Sequence, residues 1–195
     1  MRFHYWIMLV FVALLSSCAT TPQPYHTNNV CSIFRQYPGW KHSTLLTQKK
    51  YGVPIAVQMA IIHQESSFIA DAKPPRERLL GFIPWKRPTS AVGYSQALNY
   101  TWKVYKRSTG RYWAERENFA DADDFIGWYA SRAKLRAGIE PTDTYSLYLA
   151  YHEGITNYIH KSYNKKPWLI RVSRRVQARA LFYDKQLDKC YYYKP

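Results

Sequence analysis

The stretch Pro54-Ile55-Ala56-Val57-Gln58-Met59-Ala60-Ile61-Ile62-His63-Gln64-Glu65-Ser66-Ser67-Phe68 decides the fold class. Proline is tolerated in the first turn of a helix, where its missing N–H would find no partner anyway. From there Ile55, Met59 and Ile62 recur at helical spacing, and the pattern runs through Ser66. These residues read as an apolar helix that ends in a carboxylic acid, Glu65. A carboxyl among apolar neighbours has its neutral form favoured by desolvation, which general-acid chemistry near neutral pH requires.

Working outward, the same periodicity returns. Leu98, Trp102 and Tyr105 mark a second helix, stopped near Gly110. Asp121 is expected to cap a third, with Phe125, Tyr129 and Ala133 on one face and Gly138 past its end. Leu147 and Tyr151 lie on a short helix closed by Gly154. Pro167 opens the longest helix, with an apolar stripe of Leu169, Val172, Val176, Tyr183 and Leu187. Arg171, Arg174, Arg175 and Arg179 fall largely off that stripe and read as a solvated face. No convincing strand alternation and no internal repeat appears, so the expected fold is mainly α. Residues 73–89 interrupt the rhythm with four prolines and five basic residues. They form a long loop after the Glu65 helix, of the kind that is usually functional or mobile.

The 195 residues, 47% of them hydrophobic, supply one domain's core and exclude a disordered chain. Three cysteines exclude a dense disulfide scaffold. Lys and Arg outnumber Asp and Glu by 28 to 13, a formal charge of +15 that points to an anionic partner. At the N-terminus Arg2 precedes an apolar run from Tyr5 to Leu15. As a helix that run spans roughly 16 Å, about half a bilayer's hydrocarbon core, so it fits a secretory signal better than a membrane span. It ends in Leu15-Ser16-Ser17-Cys18, which resembles the bacterial lipoprotein cleavage box. That resemblance implies that residues 1–17 are a removed signal and that the Cys18 thiol receives a diacylglycerol. Ala19, in place of Asp, then favours the outer membrane facing the periplasm. Residues 18–30, polar with two prolines, read as a lipidated tether, and residues 31–195 as the domain. Cys31 and Cys190 are left either as a bridge, worth roughly 4 to 5 kcal/mol by loop-closure entropy, or as two unpaired buried thiols.

Two further motifs follow the Glu65 helix. In Ser90-Ala91-Val92-Gly93-Tyr94-Ser95-Gln96 a glycine permits close backbone approach, while Tyr94 and Gln96 offer a stacking face and an amide for sugar. In Leu149-Ala150-Tyr151-His152-Glu153-Gly154 an aromatic hydroxyl precedes a helix-stopping glycine. Taken in order, the three motifs resemble the lytic transglycosylase (SLT) domain of the lysozyme-like superfamily. In that family a helix ends in Glu-Ser, followed by Gly-x-x-Gln and then Ala-Tyr-Asn-x-Gly. Here those positions hold Glu65-Ser66, Gly93 to Gln96, and Ala150 to Gly154, and residues 121–129 resemble the family's helix before the third motif.

The resemblance implies a lysozyme-like helical domain and a role for each match. Glu65 is the single acid/base: it protonates the glycosidic oxygen between N-acetylmuramic acid and N-acetylglucosamine, then deprotonates the muramic acid 6-hydroxyl, leaving a 1,6-anhydro ring. Tyr151 hydrogen-bonds or positions Glu65, Ser66 supports its carboxyl, and Gly93, Tyr94 and Gln96 line the cleft. The partners implied are peptidoglycan strands, the membrane through the lipid, and anionic envelope lipids or a cell-envelope machine, with no nucleic acid, metal or other cofactor. Three departures stand out: Ser95 replaces a usual apolar residue, His152 replaces a usual Asn, and residues 73–89 lengthen the segment between the first two motifs. Two alternatives stay open. One is a muramidase-type hydrolase using a second carboxyl from Asp71, Asp121, Asp123, Asp124 or Glu153. The other is a non-catalytic peptidoglycan-binding envelope lipoprotein.

Overall fold

A helix that is apolar on every side is stable only when neighbours cover every side, and the stretch leading to Glu65 is such a helix. In a computed structural model of the chain, residues 21–190 are described, apart from 77, 80–82, 85 and 86. Among them the α-helices are α1 (Val30–Gln36), α2 (Pro38–Tyr51), α3 (Ile55–Ser66), α4 (Asn99–Thr109), α5 (Phe119–Ala137), α6 (Thr144–Glu153), α7 (Ile155–Ile159) and α8 (Pro167–Leu187). A 3-10 turn at Ser162–Lys165 precedes α8. The chain is mainly helical, as expected. Every residue of α3 from Ile55 to Ile62 is buried, and α8, α2 and α5 pack around it. Gln58 is tolerated at full burial because its Nε2 donates to the carbonyls of Thr44 (3.1 Å) and Val53 (2.7 Å).

Helix α8 packs on α3 and α6, so its stripe closes one side of the domain. Leu169, Val176, Tyr183 and Leu187 are buried there, and Val172 is half-buried. Helices α2 and α5 close the other side. They approach closely because position 127 is glycine: a Cβ there would strike the side chains of Tyr51 and Thr47. Lys50 and Tyr105 bind Asp124 of α5 at 2.9 and 2.7 Å, which ties α2, α4 and α5 together.

Four details differ from expectation. The cap of α5 is Asn118, whose side chain accepts from the Asp121 N–H, because a cap must precede the first helical residue. Asp121 instead accepts from Arg111 at 2.6 Å and from the Glu115 N–H at 2.9 Å. Helices α1 and α2 were not legible: the face that α2 buries carries Trp40, Thr44 and Thr47, a weakly apolar set. The loop 73–89 contains a minimal antiparallel pair, β1 (Arg78–Leu79) and β2 (Ile83–Pro84).

The fourth is the tether. Its residues 21–29 lie along the domain, where their carbonyl oxygens, backbone and side-chain, find side-chain donors. Tyr37 Oη donates to the Pro22 carbonyl (2.7 Å), Arg179 to Asn28 Oδ1 (2.7 Å), and Tyr183 Oη to the Thr27 carbonyl. Cys18 and the signal lie outside the described residues. Cys31 and Cys190 are joined as a disulfide with Cα atoms 6.0 Å apart, which fastens α1 to the end of α8.

Candidate active site

Helix α3 stops abruptly at Ser66, one residue past Glu65. Ser67 and Phe68 both take left-handed backbone conformations, φ +50° and +64°, which are strained for side-chain-bearing residues by about 1–2 kcal/mol each. The turn is held from three directions. The Ser67 N–H donates to the His63 carbonyl (2.9 Å), Gln23 Nε2 donates to the Ser67 carbonyl (2.7 Å), and Phe68 is fully buried with its ring edge-on to His63. The chain is thereby thrown off the helix axis, and Glu65 is left at the wall of a cleft of about 400 Å³. Gln96, Phe125, Tyr129, Tyr151 and His152 also line that cleft.

The Glu65 Oε1 atom is sealed from solvent and has no hydrogen-bond partner. Burial pushes the carboxyl from its ordinary 4.5 up to about 7, and the Tyr148 hydroxyl offsets part of that rise. Tyr148 is therefore the aromatic hydroxyl beside the acid. It escapes a reading of the sequence, although it stands three residues before Tyr151 on α6 and so shares its face. The two rings stack with centroids 6.5 Å apart. Tyr151 does not hydrogen-bond Glu65; its hydroxyl donates to the Ser95 carbonyl at 2.6 Å. Burial raises the Tyr151 pKa well above the usual tyrosine value, and the Glu65 charge adds to the effect.

The second motif divides into frame and cleft. Gly93 has φ +79°, its N–H donates to the Ala72 carbonyl (2.9 Å), and a Cβ there would collide with the Arg116 carbonyl. Only glycine fits that position. Tyr94 is fully buried, edge-on to Trp40 and Phe119, which stack at 4.1 Å. Gly93 and Tyr94 therefore anchor the turn and do not line the cleft, contrary to expectation. Gln96 does line it. Its Nε2 donates to the carbonyls of Ala72 and Gly93, both at 2.8 Å, so the side chain is fixed and its carbonyl oxygen is the atom left for a ligand. Ser66 is corrected as well: its hydroxyl bonds back to the Ile62 carbonyl (3.2 Å) and is turned into its own helix.

A second carboxylate, Glu153, lines the same cleft. Its side chain is only 2% exposed, and it accepts from Lys166 Nζ and Ser162 Oγ, both at 2.7 Å. Burial alone would raise its pKa, but the bonds from Lys166 and Ser162 outweigh burial and hold the carboxylate below the ordinary range. His152 Nδ1 lies 3.6 Å from Glu153 Oε1, and its ring stands edge-on to Trp168. The cleft thus holds one carboxyl poised to carry a proton at neutral pH and one that is ionised and already neutralised. Asp121 and Asp124 are occupied in the α2–α4–α5 network, and Asp123 is fully buried with no partner for either oxygen. Neither they nor Asp71 line the cleft.

Against known proteins, no curated protein matches the chain. The family profile described as transglycosylase SLT domain matches residues 6–190, from the N-terminal apolar run to the half-cystine that closes the domain. A match over almost the whole length, on a mainly helical domain with Glu65 at a cleft wall, shows that the chain belongs to the transglycosylase SLT domain family.

Proposed function

We propose that the chain is a peptidoglycan lytic transglycosylase that cleaves the β-1,4 bond between N-acetylmuramic acid and N-acetylglucosamine, with Glu65 as its single acid and base. The observation that carries this reading is the Glu65 carboxyl, buried at a cleft wall with a pKa near 7. At neutral pH about half of such a group holds the proton that the glycosidic oxygen needs. Once that bond breaks, the same carboxylate takes the proton of the muramic acid 6-hydroxyl as its oxygen closes on C1. No water is consumed and the acid is regenerated.

A mechanism with one carboxyl suits this cleft. A two-carboxylate glycosidase needs its second group free to act as base or nucleophile, whereas Glu153 is locked to Lys166 and Ser162. The test is mass spectrometry of muropeptides released from purified sacculi. Wild type should yield ends one water lighter than reducing ends, and Glu65→Gln should lower turnover at least about a hundredfold while still binding sacculi. Reducing ends alone would make the chain a hydrolase. Binding by wild type without any release would make it a non-catalytic envelope lipoprotein, and full turnover by Glu65→Gln would remove Glu65 from the chemistry.

The proposal extends to place: export, lipidation at Cys18 and residence on the periplasmic face of the outer membrane, supported by Leu15-Ser16-Ser17-Cys18 and by Ala19. Cys18→Ala should move the protein out of the membrane fraction, and retention there would refute lipid anchoring.

A further inference from the structure

A second hollow, of about 340 Å³, opens beside the Glu65 cleft. Thr101, Tyr129 and Gly154 line both and form the shared wall. Beyond that wall the surroundings change character. Arg132 and Arg136, one turn apart on α5, line the second hollow with Trp128, Tyr100, Thr156 and Asn157, and no Asp or Glu lines it. Like charges at this spacing weaken a helix; Arg136 gains from the helix dipole in the last turn of α5, but among the described residues neither arginine belongs to an ion pair.

The two guanidiniums are nevertheless oriented. Arg136 Nη2 donates to Thr156 Oγ1 at 3.0 Å, and the charge of Arg136 reaches the Tyr129 hydroxyl in the shared wall. The Arg132 guanidinium carbon lies 5.9 Å from the Trp128 ring centre, a cation–π contact that leaves its N–H groups for a partner. An oriented arginine fork matches a carboxylate in two parallel hydrogen bonds.

We propose that this hollow is a subsite for a carboxylate of the stem peptide borne by the same glycan strand that lies at Glu65. The inference rests on the transglycosylase reading and deepens it. The two hollows share a wall, so a group borne by a strand held at Glu65 is within reach of the arginines. Peptidoglycan supplies such a group, since the lactyl ether of each muramic acid carries a peptide with free carboxylates. Tethering to a strand already held in the cleft gives that carboxylate a high effective concentration at the arginines. The enzyme therefore favours peptide-bearing strands over bare glycan.

The experiment uses the full mature domain carrying Glu65→Gln, so that binding is read without turnover. Its ligands are purified peptide-bearing strands and the same strands stripped of peptide by an amidase, which leaves only the short lactyl carboxylate on each muramic acid, so that the comparison reads the longer reach of the stem-peptide carboxylates. The peptide-bearing strands should bind at least tenfold more tightly. Arg132→Gln with Arg136→Gln should reduce that ratio tenfold or more, by the loss of charge-assisted hydrogen bonds. A double Arg→Lys variant, which keeps the charge and guards against a folding artefact, should restore only part of it. An unchanged ratio in the Gln pair, or full restoration by lysine, would overturn the subsite. Failure of the parent reading looks different: an enzyme with Arg132 and Arg136 intact and Glu65 restored would release no anhydro ends from either strand, whatever the binding ratio.

Discussion

Replacing Glu65 by Gln is expected to strengthen the fold as it stops turnover, and the gain should depend on pH. Folding carries the Glu65 carboxyl from 4.5 to about 7, chiefly because burial disfavours its charged form. A group whose folded pKa is raised holds its proton more tightly in the native state. The stability it contributes is therefore complete below about pH 4.5 and is lost as the pH climbs through 7. At about 1.4 kcal/mol per pKa unit, the interval sets a ceiling of about 3 kcal/mol. Glu65 keeps some exposure toward the cleft it lines, which brings the working figure to about 2 kcal/mol. Glutamine has nearly the same shape and does not titrate. Urea unfolding followed by tryptophan fluorescence, with the disulfide intact, should give wild type and Glu65→Gln similar stability at pH 4. At pH 8 the variant should be more stable by about 2 kcal/mol, or roughly 4–8 °C in Tm for a domain of this size. Parallel stability curves across that range would mean that the carboxyl is ionised and well solvated at neutral pH. The account of Glu65 as a buried acid would then be wrong.

Tyr148→Phe removes the hydroxyl that partly stabilises ionised Glu65, so the alkaline limb of the pH–rate profile should move to higher pH; a downward shift would contradict that placement. Gly93→Ala should destabilise the domain by about 3 kcal/mol or more and reduce activity with it, because a Cβ meets the Arg116 carbonyl at a positive φ; a thermal melt within a degree of wild type would refute the close approach. Asp123 is raised from 3.8 to about 8 by burial first and by the Asp124 charge beside it, so its share of stability is lost as the pH rises from about 4 to 8. Asp123→Asn should then be more stable than wild type at pH 8 by up to about 5 kcal/mol and nearly indistinguishable near pH 4, as read by the same urea titration.

The helices that bury apolar faces were legible from spacing. Those of α3, α5 and α8 are set by Ile55, Phe125 and Val176 and their repeats, because burial of a 3.6-residue stripe is what makes such helices stable. Helix α2 hid itself by burying Thr44 and Thr47. At the site, Glu65 stood out in the sequence only through the ordered set of three motifs, since a glutamate near a helix end is by itself an ordinary surface feature; the structure puts it at a cleft wall. The division between frame and cleft was not legible. Tyr94 has the amphipathic side chain of a sugar platform, and only the tertiary placement of Trp40 and Phe119 turns it into core. Arg132 and Arg136 sit on the face of α5 toward α7, and nothing in their spacing distinguishes them from a solvated charge pair.

The two substituted motif positions, Ser95 and His152, become intelligible through this frame. Tyr151 binds the backbone carbonyl of Ser95, an atom that every residue supplies, so the side chain at position 95 is free to vary. The Ser95 hydroxyl is buried without a partner, a sign that position 95 serves through its backbone. His152 stands where Asn is usual, and Glu153 beside it provides an acceptor that Lys166 and Ser162 hold in place. The frame is closed by the bonds of Tyr151 to Ser95 and of Gly93 and Gln96 to Ala72, which join α6, the glycine turn and the segment after α3 around one carboxyl. Substitutions that spare those backbone contacts leave Glu65 buried and its pKa high, which is why a changed motif is compatible with an intact acid.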